Sequence, residues 1–279
     1  MKKILSISIS TIMLLVLFSG CMDDEETDDF VTSIVPLEER TEVPCQVGEN
    51  DFVILTFGQS NADNSISNIT KTTTKKAFEI FKNKCYLIED PNLGTQNGTG
   101  DIQTFGGSVW TILGDKIIEE NLADNVYFIN IAYGGSSVSS WNEGGTNYSY
   151  LNSTLEMLKD MNISLTHVFW HQGETDAMIG TTEEQYYDRF INIRNNIREY
   201  SEAPIFVAKA TYCNNSINLS IVEAQTMLSS VNEDIFPGPN TDLINNDFRR
   251  PDKCHFNYYG GVLHANGWIN SILEYNTIK

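Results

Sequence analysis

Short apolar runs alternating with helix-periodic segments predict an α/β fold, specifically a three-layer α/β/α sandwich around a central parallel sheet of about five strands. Two further observations support this class. The apolar runs are continuous rather than alternating, as expected of strands buried on both faces. Each run also ends in small and polar residues, and in such sheets ligands bind beyond the carboxyl ends of the strands. No internal repeat or second compositional regime interrupts residues 46–279, so one domain is expected there.

The elements follow in order. "DFVILTF" (51–57) reads as the first strand and ends in "GQSN". "SVWTILGDKIIEEN" (108–121) is helical, and "NVYFINIAY" (125–133) is the second strand, followed by "GGSS". A helix over 150–161 leads to the strand "THVFWHQ" (166–172), which runs into "GETD". Thr181 and Glu184 stand at capping-box spacing and predict a helix over 181–200, with Tyr187, Phe190, Ile191 and Ile197 near one face. "APIFVAKA" (203–210) is the fourth strand and leads to "TYCNN"; a weaker fifth is "TDLIN" (241–245). The helix "YGGVLHANGWINSILEY" closes the chain.

The first residues stand outside this pattern. Lys2 and Lys3 precede "ILSISISTIMLLVLF", which has the length of a signal-peptide core and is short for a membrane span. The "SGC" that follows resembles the lipobox of bacterial lipoproteins, with Phe18 where leucine is usual. That resemblance implies a signal peptide over 1–20 and lipid attachment at Cys21; ordinary secretion is the alternative. Residues 21–45 are acidic, lack apolar periodicity and read as a mostly disordered tether. The implied location is the bacterial cell envelope, with a lipid anchor as the only membrane contact.

The formal charge is −19, or −21 without Lys2 and Lys3. Such a surface repels nucleic acid and anionic headgroups and suits a neutral substrate. Cys45, Cys85, Cys213 and Cys254 can oxidise in an exported chain, but spacing alone leaves all three pairings open. They include no CxxC pair, and His171 with Glu174 lacks a third ligand at fitting spacing, so no metal site is expected.

Serine is a poor nucleophile unless a base takes its proton. Of four histidines, His167 precedes a strand and His264 lies within the last helix, where a core or surface role is ordinary; His171 ends a strand. His255 differs, because it lies in the turn-rich "RRPDKCHFNYYGG" with Asp252 three residues before it. On a tight turn that carboxylate can accept from Nδ1, leaving Nε2 to face a serine. Singly these features are weak. Asp-x-x-His arises often by chance, and Ser60 at a strand-to-helix turn could be no more than an N-cap.

Taken in order, "GQSN", "WHQGETD" and "DKCHF" resemble the SGNH hydrolase superfamily, and within it the carbohydrate O-acetylesterase branch of sialate and plant-type acetylesterases. The resemblance spans Phe52 to about Leu273. It implies a serine esterase that removes O-acetyl groups from carbohydrate and needs no cofactor, and the leader adds export to that expectation. It further implies Ser60 as nucleophile, His255 as base and then acid, and Asp252 as its orienter. The oxyanion would be held by the Ser60 amide, a glycine amide and a side-chain amide. "FGGSVW" suggests Gly107, with Gly106 a close competitor, and Gln172 stands where the superfamily usually has asparagine. There is no G-x-S-x-G elbow. Glu174 is expected to brace its loop, and Trp141 either to stack on a sugar or to pack in the core. Two alternatives keep part of this reading: a lipase or thioesterase acting on another ester, and a surface lipoprotein that binds carbohydrate without turnover.

Overall fold

The computed structural model describes residues 35–95 and 106–279. The leader and Cys21 lie outside these residues, as does most of the acidic tether. Among the described residues, eight strands form one sheet, rather than about five. In chain order they are β1 (Glu42–Val43), β2 (Phe52–Gly58), β3 (Ala77–Phe81), β4 (Lys84–Leu87), β5 (Val126–Asn130), β6 (His167–His171), β7 (Ile205–Lys209) and β8 (Ile235–Asn240). Their order across the sheet is β1-β4-β3-β5-β2-β6-β7-β8. The six from β3 to β8 in that order run parallel, and the β4 hairpin and β1 add an antiparallel edge.

The helices are α1 (Val109–Glu119), α2 (Tyr148–Asp160), α3 (Glu174–Ile179), α4 (Glu183–Arg198), α5 (Leu219–Val231) and α6 (Tyr258–Ile278). They cover both faces of the sheet, as the continuous apolar strands require. Val53, Leu55 and Phe57 of β2 face the core shared with α2, α4 and α5, whereas Ile54 faces the one shared with α1 and α6. No helix among the described residues is long and apolar enough to cross a membrane.

Several expectations need correction. Residues 241–245 are not a strand: Thr241–Leu243 form a 3-10 turn, and the edge strand β8 lies just before it. Pro237 and Pro239 masked β8 in the sequence, yet prolines are tolerated on an edge strand. The capping box falls one residue later than predicted, with the Thr182 hydroxyl accepting from the Gln185 amide and the Gln185 side chain from that of Thr182. Thr181 instead donates its hydroxyl to Asp176 at 2.7 Å. Residues 35–45 are not a loose tether. β1 pairs with β4, Cys45 is bonded to Cys85, and the buried Arg40 guanidinium meets Glu79 at 2.6 Å.

The sheet order reverses around β2, since β5 flanks it on one side and β6 on the other. The crevice at the carboxyl end of β2 is therefore the place where this fold accepts a ligand.

Candidate active site

β2 leaves the sheet through Gly58, whose φ is +139°. A Cβ there would stand 2.0 Å from the His171 carbonyl oxygen, so only glycine lets β2 approach β6 this closely before turning. Gln59 follows, and Ser60 opens a 3-10 turn of three residues, Ser60–Ala62. Gln59, not Ser60, is the N-cap position of that turn, so the Ser60 side chain is not at the capping position.

The partner of Ser60 is His255, whose Nε2 lies 2.8 Å from Ser60 Oγ. On the other side of the ring, Nδ1 lies 2.7 Å from Asp252 Oδ2. An ionised carboxylate can only accept, so Nδ1 carries the proton and Nε2 accepts from the serine hydroxyl. The second carboxylate oxygen, Oδ1, accepts from the amides of Cys254 and His255, each at 2.9 Å. Burial alone would raise the Asp252 carboxyl. The hydrogen bonds from the His255 ring and these two amides outweigh it and hold the group well below the usual carboxylate range.

The loop carrying His255 is fixed largely through Cys254. Its carbonyl accepts from the buried Arg249 guanidinium and from Asn61 Nδ2, the latter at 3.3 Å. Its sulfur is bonded to Cys213, in the loop after β7. Asn61 also donates to Glu174 Oε1 at 2.7 Å, tying the serine turn, the α3 start and the histidine loop together. Burial raises the Glu174 carboxyl to about 7. Glu174 thus braces the loop, and Arg249, for which the sequence carried no signal, shares that work.

Gln172 and Gly107 are turned away from the oxyanion role. The Gln172 side chain is fully buried, and its Nε2 has three acceptors within reach: Asp176 Oδ2 at 2.5 Å, Gln59 Oε1 at 3.1 Å and the Ser136 carbonyl at 3.1 Å. The unengaged atom is Oε1, an acceptor, which cannot stabilise an oxyanion. Gly107 donates its amide to the Ile66 carbonyl at 2.8 Å, and Gly106 packs against the carbonyls of Asn64 and Ile66. Neither lines the cleft around Ser60. Gln59, Gln172 and Asp176 instead form a buried scaffold behind the serine, with Gln59 Oε1 also accepting from the Gly173 and Thr175 amides.

The cleft has a volume of about 580 Å³ and is lined by Ser60, His255, Gly134, Gly135, Met178 and Arg250 among others. Gly134 and Gly135 follow β5 in the "YGGSS" stretch, and among the described residues the amides of Ser60, Gly134 and Gly135 donate to no protein acceptor. A glycine pair at a strand's carboxyl end was the signal available for them. Trp141, a few residues later, is fully buried against Phe57 and Trp170 and is no sugar platform. His171 is buried as well, with Nε2 on the Thr241 hydroxyl at 3.0 Å; burial pushes it down to about 3. His264 packs against it with tilted rings, centroids 4.5 Å apart, and His167 is pushed down by burial to about 4. None of the three lines the cleft.

A buried strand end, a serine hydroxyl on an imidazole, and that imidazole on a carboxylate make an arrangement suited to nucleophilic attack on an ester. The family comparison agrees. Residues 50–265 match the model of the family described as carbohydrate esterase, sialic acid-specific acetylesterase. The chain belongs to this carbohydrate esterase family. No curated protein sequence matches it significantly. Among solved structures, a protein from Arabidopsis thaliana is similar over 81% of this chain and 98% of its own, with TM-score 0.61 and 14% identity. NanS is similar over 84% of this chain and 100% of its own, with TM-score 0.57 and 14% identity. A carbohydrate acetylesterase from Xanthomonas citri is similar over 77% of this chain and 54% of its own, with TM-score 0.50 and 14% identity. At that identity the likenesses speak to the fold: the α/β/α sandwich of this esterase is shared with its neighbours.

Proposed function

We propose that this carbohydrate-esterase family member is an exported serine esterase that removes O-acetyl groups from carbohydrate through an acetyl-enzyme. The observation that carries the reading is the unbroken chain Ser60–His255–Asp252, with its 2.8 and 2.7 Å links at the wall of the cleft. Ser60 Oγ attacks the acetyl carbonyl carbon while its proton passes to His255 Nε2. The imidazolium that forms is stabilised by the ionised Asp252. The carbonyl oxygen, now negative, is taken by the Ser60 amide and by an amide of the Gly134–Gly135 pair, donors of the kind that each lower the barrier by about 3 kcal/mol. The sugar oxygen leaves with the proton from His255. Water, deprotonated by the same imidazole, then attacks the acetyl-enzyme and releases acetate. Each step is an addition to the carbonyl, an expulsion of the sugar or Ser60 oxygen from the tetrahedral centre, or a proton transfer through His255, chemistry that these side chains supply without a cofactor or metal.

Export is supported by two disulfides, Cys45–Cys85 and Cys213–Cys254, since such bonds persist in oxidising compartments. With the "SGC" stretch, the proposal includes lipid attachment at Cys21. The family's description makes O-acetylated sialic acid the first substrate to assay. The reading predicts acetate release from acetylated sugars and from p-nitrophenyl acetate by the wild type and none above background by Ser60→Ala, with the fold retained. Equal turnover by the two proteins would refute it, and sugar binding without acetate release would favour a non-catalytic lipoprotein.

A further inference from the structure

Beside the catalytic cleft lies a second cavity of about 420 Å³, walled by Ala177, Met178, Cys213, Asn214, Ile217 and Leu219 among others. Met178, Cys213 and Asn214 also line the cleft around Ser60, so the two spaces share three side chains and adjoin across the disulfide. The composition of the second wall is unusual for a surface. Met178, Ile217 and Leu219 are 60%, 43% and 77% exposed, whereas single exposed apolar residues are the norm. Thr211, Asn214, Ser216 and Asn218 line the same space, and no charged side chain does.

The wall is also built in advance. Cys213 and Ser216 exchange two backbone hydrogen bonds at 3.1 Å, closing a turn in which Asn214 and Asn215 have φ of +53° and +63°. The backbone N–H of Asn214 donates to the Lys253 carbonyl at 3.2 Å, next to the disulfide that joins the same two loops. Asn218 caps α5 through Oδ1 and ties the loop to α3 by donating Nδ2 to the Ala177 carbonyl at 3.3 Å. A pre-formed concavity that sets apolar side chains beside uncharged polar ones has the character of a site for an amphipathic, neutral ligand.

We infer that this cavity is a subsite for a neutral glycosyl residue attached to the acetylated one, so that the substrate is an acetylated oligosaccharide or polysaccharide rather than a free monosaccharide. The inference rests on the esterase reading of Ser60 and names the substrate class of that site. A pyranose ring presents an apolar C–H face and a rim of hydroxyls, which matches a wall that mixes Met178, Ile217 and Leu219 with the uncharged polar Thr211, Asn214, Ser216 and Asn218. The absence of charge in the wall, on a chain of net charge −19, argues against an anionic residue in this position.

The test compares kcat/KM on singly acetylated glucose, xylose and mannose with that on the singly acetylated β-1,4-linked tetrasaccharide of each, using wild type, Leu219→Asp and Ile217→Asp. Leu243→Asp serves as control, because Leu243 is 78% exposed and lines neither cavity. The expected result is a preference of the wild type for at least one tetrasaccharide over its monosaccharide by about tenfold or more. That ratio should fall toward one in both subsite variants and stay unchanged in the control. A wild-type ratio near one in all three series, with hydrolysis still dependent on Ser60, overturns the inference and leaves the esterase reading standing. So does a subsite variant that loses p-nitrophenyl butyrate relative to acetate while keeping the sugar ratio, since the cavity would then hold an acyl chain. Absence of any Ser60-dependent hydrolysis, of sugars or p-nitrophenyl acetate, would overturn both.

Discussion

The two disulfides close loops of nearly equal length, with separations of 40 and 41 residues. Chain entropy alone assigns each about 4 kcal/mol of stabilisation. Their surroundings differ completely. Cys45–Cys85 sews β1 onto β4 at the sheet edge, beside the buried Arg40–Glu79 pair. Cys213–Cys254 joins the loop after β7 to the residue before His255, and both its cysteines line the cleft. Equal covalent constraint therefore serves stability at one edge and placement of the base at the other. Location, rather than energy, separates the two bonds.

The largest effects should come from the chain that the second bond supports. Asp252→Asn leaves the shape but allows the wrong His255 tautomer, and kcat on p-nitrophenyl acetate should fall by about 10⁴. A loss of less than tenfold would remove Asp252 from the orienting role. Next in size is the double variant Cys213→Ala/Cys254→Ala. A displacement of the base by about 1 Å costs roughly 10²-fold, so kcat should drop about ten- to a hundredfold while KM moves little and the circular dichroism spectrum is kept. An unchanged kcat would erase the distinction drawn between the bonds. Cys45→Ala/Cys85→Ala should behave in the opposite way, with wild-type kcat below its melting point and a Tm lowered by roughly 10 °C. A matching loss of kcat in that variant would also break the comparison.

The smallest expected effect concerns pH. Burial raises Glu174 and Glu79 to about 7 and Asp90 to about 6. A raised folded-state pKa gives stability that is full below the ordinary carboxylate value and is lost as pH climbs to the raised one. Glu174→Gln removes one such group, so its Tm relative to wild type should rise between pH 5 and pH 8. A difference that stays flat over this range would mean Glu174 is ionised in the fold throughout. Asp252 works the other way: its lowered pKa gives stability that holds at neutral pH and begins to fail below about pH 4.

How much of this was legible in the sequence depended on the kind of signal. β2, β5, β6 and β7 are buried on both faces, so their apolar runs were plain, and the motifs at their ends placed Ser60 near His255 and Asp252. β8 was hidden by its prolines. The β3–β4 hairpin was hidden because its turn, Lys82–Asn83, and its buried Glu79 look like a charged loop until Arg40 is brought alongside. The oxyanion donors were misread for a different reason. A motif names Gln172 and Gly107 but not the direction of their N–H groups, and that direction is set on folding by Asp176, in the same motif as Gln172, and by the Ile66 carbonyl. The asparagines and cysteines around residue 213 gave no hint of a cavity, because its wall is assembled from α3 and the β7–α5 loop only on folding.

The most direct measurement is mass-spectrometric mapping of the adduct formed by a fluorophosphonate, a probe that reports an activated serine whatever the natural ester. Ser60 Oγ displaces fluoride from phosphorus as its proton moves to His255. The account predicts one adduct, on the peptide containing Ser60, formed at least a hundredfold more slowly in His255→Ala. Labelling elsewhere, or labelling of Ser60 at an equal rate without that imidazole, would contradict it.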